Sequence, residues 1–271
     1  MSAKIRLKKV APTERWVVKV GSNLVCSGGI ILLRSWVEQI VGLRKHHGIE
    51  VIWVTSGAIA SASERTGFTN TKRTLPEKQA LSAIGQPLLM DRYNLALQAN
   101  GLVGAQVLVT FDDLNDKTRS ENFKQTLTTL LRWGVVPLLN ENDAVATEEI
   151  KFGDNDSLSV QVARCLRADR LVILTDVMGL FDSDPRVNKK AVLIKNVKAV
   201  TPQMLATTSQ NAGSGRGTGG MFSKLRAAQT AQTLGIPTWL VKGDLPNILL
   251  EVAQNKSVGT HVRALPPARR T

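Results

Sequence analysis

Residues 140–156 follow the apolar run Val135-Val136-Pro137-Leu138-Leu139. They place the carboxylates Glu141, Asp143, Glu148, Glu149, Asp154 and Asp156 among the amides Asn140, Asn142 and Asn155. Polar groups gathered just beyond a buried strand are where open α/β sheets put their ligand sites. The bland alternative, a solvated acidic loop, runs against a composition with a formal net charge of +13. Four further segments carry candidate ligand groups. Lys19-Val20-Gly21-Ser22-Asn23 puts an ammonium and free backbone N–H groups at the end of an apolar stretch, which suits phosphate. Thr55-Ser56-Gly57-Ala58 repeats the arrangement with a hydroxyl and a glycine at a helix start. Thr175-Asp176 opens a run that ends in Asp184-Pro185-Arg186. The glycine loop Gly215-Arg216-Gly217-Thr218-Gly219-Gly220 leads into Met221-Phe222-Ser223-Lys224 and could wrap a triphosphate, with Lys224 one helical turn in. A shared cleft explains five such places better than five accidents.

The elements that must position these groups alternate between short β-rich and longer amphipathic segments, the mark of βαβ units on a mainly parallel sheet. The patterning predicts strands at Trp16–Val20, Val51–Thr55, Val103–Val109, Val135–Leu139, Arg170–Thr175 and Pro237–Val241. Helices are expected at Ile30–His47, Pro76–Gln98, Ser120–Trp133, Ser157–Arg167 and Met221–Leu234, with a short one near Pro246–Ala253. Gly48, Gly101, Gly134 and Gly235 stand where helices should stop. The stretch Ala206–Gly220 is expected to hold no regular structure and is long for a connection. One domain over residues 1–271 is expected, in two lobes of about 12–165 and 166–262.

Composition narrows the function classes. A 271-residue chain that is 43% hydrophobic can bury a sizeable core. No apolar run is expected to be long enough to cross a bilayer, and the basic N-terminus lacks an apolar stretch behind it, which predicts a cytoplasmic protein away from the membrane. Cys26, Cys165 and the three histidines show no metal-ligand spacing, so metal ligands on the protein are left unassigned. The basic residues are dispersed and aromatics make up 4%, which argues against nucleic acid. The glycine loop satisfies G-x-G-x-x-G, but no strand precedes it, and a Rossmann dinucleotide site is not expected.

Together these stretches, with Leu81-Ser82-Ala83-Ile84-Gly85-Gln86, the Asn140–Thr147 and Ile150–Asp156 pair and Gly217–Lys224, resemble the amino acid kinase family. The likeness runs in family order from residue 16 to about 260 and points to the branch whose substrate is glutamate. It implies a three-layer α/β/α sandwich with a mainly parallel central sheet, and transfer of the γ-phosphoryl of ATP, with Mg²⁺, to the side-chain carboxylate of L-glutamate at the head of proline synthesis. By that resemblance Lys19 and Lys224 stabilise the transferring phosphoryl group and Asp156 orients both. Ser56, Asp143 and Asn155 would hold the amino acid, with Asp143 on its ammonium. Lys19, Thr175, Asp176, Thr218, Gly219, Gly220, Met221, Phe222, Ser223 and Lys224 would hold ATP.

The resemblance also implies a homo-oligomer, dimer or tetramer, and a functional partner in glutamyl phosphate reductase. The family often carries a C-terminal PUA domain that would begin about where this chain ends, so a short form or a truncation is expected. Phe222 departs from the small polar residue usual beside the catalytic lysine. The rivals are another amino acid kinase, such as an acetylglutamate kinase, aspartokinase or uridylate kinase, and a non-catalytic regulatory or nucleic-acid-binding protein.

Overall fold

The computed structural model describes residues 12–70, 72–146, 155–210 and 220–266. In chain order the elements are β1 (Glu14–Val20), α1 (Ser22–His47), β2 (Ile49–Val54), α2 (Ala58–Thr66), α3 (Leu75–Ala99), β3 (Gly104–Val109), α4 (Phe111–Asn115), α5 (Lys117–Arg132) and β4 (Val136–Glu141). They continue with α6 (Asn155–Leu166), β5 (Arg170–Thr175), β6 (Asn196–Val197), α7 (Pro202–Gln210), α8 (Met221–Thr233), β7 (Thr238–Lys242), α9 (Ile248–Ala253) and β8 (Thr260–Val262). The strands form one sheet in the order β3-β4-β2-β1-β5-β7-β8-β6, parallel throughout except where β7 meets β8.

Strand periodicity divides the core into two layers. Trp16, Val18 and Val20 of β1 join Trp53 of β2 and Val172 of β5 on one face, packed against α1, α3 and α9. Val17, Ile52 and Ile173 point the other way, onto α5, α6 and α8. Both faces of β1 are therefore apolar, as a central parallel strand requires. This is the expected three-layer sandwich.

Helix ends follow local conformational physics. Gly48, Gly101, Gly134 and Gly235 all adopt positive φ, between 65 and 77°, at the ends of α1, α3, α5 and α8, the left-handed cap only glycine enters freely. The starts departed more from expectation. The helix expected from Ile30 begins at Ser22, because Gly29 takes φ 53° and ψ −154° and joins two helical pieces across a kink. The longer α1 also corrects the absence of a span-length apolar segment, since an 18-residue window reaches a mean hydropathy of 1.4. In the fold its Leu33, Trp36, Val37, Ile40 and Leu43 are core, and buried Gln39 accepts from the Leu249 N–H at 2.8 Å. α7 overturns part of the expected irregular stretch: Ala206–Gln210 is helical, with the Thr207 and Thr208 hydroxyls donating to the Gln203 and Met204 carbonyls one turn back. The remainder of that stretch, to Gly219, lies outside the described residues.

One close approach between α2 and α3 seats the site. A Cβ built on Gly85 of α3 would lie 1.8 Å from the Ala58 carbonyl oxygen and 2.9 Å from the Ala62 nitrogen of α2. Backbone cannot yield there without the helices separating. Gly85→Ala is expected to destabilise the protein by about 3 kcal/mol and, since α2 begins next to Ser56, to disturb that residue too. Chemical denaturation with circular dichroism checks it; a change within about 0.5 kcal/mol would mean that the helices are free to part.

Candidate active site

Alternation along Trp16-Val17-Val18-Lys19-Val20 turns Lys19 to the same side as Val17, toward α6 and α8. Those helices answer it. Asp156, in the first turn of α6, lies with Oδ1 2.5 Å from Lys19 Nζ, and its Oδ2 is 3.4 Å from Lys224 Nζ in the first turns of α8. The Ser223 hydroxyl donates to the same Oδ2 at 2.9 Å. Asp156 is fully buried, and Lys19 and Lys224 are 2% and 6% exposed. Burial pushes the Asp156 carboxyl up, but the two ammonium groups and the hydrogen bonds outweigh it and hold it at about 2. Asp156 thereby holds two ammonium groups, one from β1 and one from α8, at a single buried point.

Backbone donors converge on the same edge. α1, α2 and α8 start beyond the carboxyl ends of their sheet strands or loops with Gly21, Gly57 and Gly220 at their N-caps, none giving a side-chain cap bond. Their first N–H groups are left to a ligand or water. A Cβ on Gly21 would stand 3.9 Å from Lys19 Nζ, and among the described residues one on Gly220 would meet nothing within 4 Å. Lys19 and Val20 thus close β1, and Gly21 alone separates them from the first turn of α1.

A second wall abuts the first through adjacent residues. Asn155 Nδ2 lies 2.6 Å from the Thr55 carbonyl, 2.7 Å from Ser56 Oγ and 2.8 Å from Asn140 Oδ1. Ser56 and Asn155 are therefore brought together as expected. Asp143, in the turn after β4, accepts from the Ser82 hydroxyl of α3 at 3.0 Å. Burial pushes its carboxyl up, and that one hydrogen bond pulls it only partly back. Among the described residues no lysine or arginine is paired with this half-buried carboxylate, whose one side-chain partner is the Ser82 hydroxyl.

Sequence reasoning assigned no roles to the supports of this wall. The Tyr93 hydroxyl of α3 meets Thr55 Oγ1 at 2.8 Å and accepts from Trp53 Nε1 at 2.9 Å, pinning the end of β2. The Asn140 amide, 2% exposed, donates to Gln86 Oε1 at 2.9 Å. Asn140 and Gln86 lie in segments noted for resemblance, and Tyr93 does not. The signal that could have found Ser82 and Gln86 is a polar pair on the buried stripe of an otherwise apolar helix.

The residues expected to hold the nucleotide are described in part. Thr175 Oγ1 donates to Asp176 Oδ1 at 3.2 Å at the end of β5, where Asp176 is exposed, and the Thr175 carbonyl accepts from the Gly243 N–H beyond β7. Gly220, Met221, Phe222 and Ser223 lead into Lys224. Phe222 takes the Arg226 guanidinium over its ring at 5.7 Å, a surface role compatible with its departure from the usual residue. Thr218, Gly219 and the segment Thr147–Asp154 lie outside the described residues.

Residues 14–242 match the family described as Amino acid kinase family. The chain is 43% identical to the glutamate 5-kinase of Alcanivorax borkumensis over 255 residues, 93% of this chain and 67% of that protein. It is 44% identical to the glutamate 5-kinase of Bordetella petrii over 262 residues, 95% of this chain and 69% of that one. Among solved structures, the aspartate kinase from Synechocystis superposes with a TM-score of 0.63 at 22% identity, over 95% of this chain and 40% of its own; that likeness speaks to the fold.

Proposed function

The chain belongs to the amino acid kinase family, and from that premise we propose that it transfers the γ-phosphoryl group of ATP to the side-chain carboxylate of L-glutamate, the first step of proline biosynthesis. The observation that carries the reading is the junction of two walls at Asn155-Asp156: one residue faces the amino-acid wall, the next binds both buried lysines. A bond forms between a carboxylate oxygen of glutamate and the γ-phosphorus. The bond from that phosphorus to the β,γ-bridging oxygen breaks, and the electron pair leaves with ADP. The nucleophile is already ionised and needs no base. What opposes reaction is the meeting of two anions, so fixed cations and in-line placement supply the catalysis.

Lys19 and Lys224 stabilise charge on the phosphoryl oxygens, while Asp156 holds both ammonium groups in place. Gly219–Lys224, Thr175 and Asp176 hold the nucleotide, which assigns ATP to the lobe after residue 166 and glutamate to the lobe before it. Among the described residues no cluster of three carboxylate, imidazole or thiol groups is placed to hold a metal. Mg²⁺ would arrive on the phosphates of ATP, whose oxygens and water it prefers, and would lower the charge the acceptor must approach. The product is a mixed anhydride prone to hydrolysis, which pairs this enzyme with glutamyl phosphate reductase. Ile84 and Leu95, apolar side chains exposed on α3, support a homo-oligomer.

Asp143 favours glutamate over N-acetylglutamate. Acetylation removes the ammonium that a carboxylate without a cation partner recruits. Trapping the product with hydroxylamine tests the assignment: hydroxamate is expected with ATP and L-glutamate and only at background with L-aspartate or N-acetyl-L-glutamate, and UMP should release no ADP. No turnover with glutamate rules the reading out.

A further inference from the structure

Resting on this reading, we propose that one turn of α3, Ser82 with Gln86, is the positioning device of the amino-acid site. Both side chains are buried, at 4% and 6% exposure, on the helix stripe that also carries Leu81, Leu89 and Tyr93. A polar group buried on such a stripe costs stability unless it is hydrogen-bonded. The Ser82 hydroxyl donates to Asp143 Oδ2, and Gln86 Oε1 accepts from Asn140 Nδ2. Asn140 Oδ1 in turn receives Asn155 Nδ2 at 2.8 Å, which also reaches Ser56 Oγ.

The Asn140 amide has two orientations of nearly equal shape, and only one presents an oxygen to Asn155. The reversed one would face two NH₂ groups toward each other. The Gln86 carbonyl oxygen at Nδ2 selects the first, together with the Glu141 backbone N–H that donates to Asn140 Oδ1 at 3.0 Å, and Gln86 is itself tied by Nε2 to Gln106 Oε1 on β3 at 3.4 Å. Between Ser82 and Gln86 lies Gly85, whose contact with Ala58 sets α2 and hence the Ser56 turn. A single helical turn therefore fixes all three residues assigned to the amino acid, while neither Ser82 nor Gln86 touches Lys19, Asp156 or Lys224. Gln79, one turn earlier on the same side, donates to the Ala146 carbonyl at 3.1 Å, three residues beyond Asp143.

Steady-state kinetics and calorimetric titration of glutamate on the full chain test this. Gln86→Met keeps the volume and loses the acceptor; it is expected to raise both KM and Kd for glutamate about tenfold, with KM for ATP and kcat within about twofold of the parent. Gln86→Glu retains an acceptor oxygen and should recover most of the loss, which a merely space-filling role would not predict. Ser82→Ala is expected to weaken glutamate similarly, with Ser82→Thr restoring it, and decides the matter if the Gln86 variants fail to fold. Unchanged glutamate affinity in Gln86→Met or Ser82→Ala, or parallel losses in kcat and KM for ATP, overturns the positioning role. Failure of the parent enzyme to phosphorylate glutamate would instead remove the functional reading on which it rests.

Discussion

Asp156→Asn is expected to lower kcat by about a thousandfold, the upper range for removing one preorganised electrostatic group, and to destabilise the fold by about 3 to 5 kcal/mol. The substitution keeps the shape and removes one negative charge. Lys19 and Lys224, at 2% and 6% exposure, would then share a buried site without the carboxylate that both contact. Each gains by moving apart or by losing its proton, and either change withdraws a cation from the phosphoryl group. Unlike a defect in substrate affinity, the loss should persist with glutamate and ATP both saturating. A kcat within tenfold of the parent would show that the lysines need no common counter-ion.

The same charge arrangement fixes a sign for acid stability. Asp156 is held below the ordinary carboxylate value in the fold, so the unfolded chain binds its proton first as pH falls. Its stabilisation is complete above about pH 4, the unfolded value, and is lost as pH drops toward the folded one. Between pH 5 and 8 this group contributes no slope. Denaturation curves of Asp156→Asn should therefore lose part of the acid sensitivity of the parent below pH 4.

Legibility in the sequence divided along the range of the interaction that decides each feature. The glycine caps at 48, 101, 134 and 235 came out as expected because positive φ is a local property of one residue. β5 was read at Arg170–Thr175 to the residue, since a central parallel strand is an unbroken apolar run. α2 was seen only as a helix start, because Ala58, Ser61 and Ala62 pack by closeness to Gly85 rather than by bulk, and hydrophobic periodicity has little to register. The residues expected to be catalytic were named through family motifs, yet their meeting depends on sheet order: Lys19 and Asp156 are brought together by β1 lying between β2 and β5 with α6 over it. One part of that was available without the structure. Trp16, Val18 and Val20 occupy one face of a buried strand, so Lys19 had to leave by the other.

Lys224→Met and Asp143→Asn should separate the two walls. Lys224→Met removes a cation that meets the transferring phosphoryl group in the transition state, and is expected to lower kcat by 10²- to 10³-fold with a change of about threefold or less in KM for glutamate. Asp143→Asn keeps a partner for the Ser82 hydroxyl but not the charge for the ammonium. It should raise KM for glutamate about a hundredfold, the cost of truncating one side of a buried charge pair, with kcat within about fivefold. Burial raises Asp143 above the ordinary carboxylate value, so in the parent enzyme glutamate affinity weakens as pH falls toward that value and the carboxylate takes up its proton. With Asn at 143 nothing is left there to titrate, and the acid limb of kcat/KM for glutamate should flatten. Were the two variants to lose kcat and KM in the same proportion, the cleft would act as one unit and the division between phosphoryl clamp and amino-acid wall would fall.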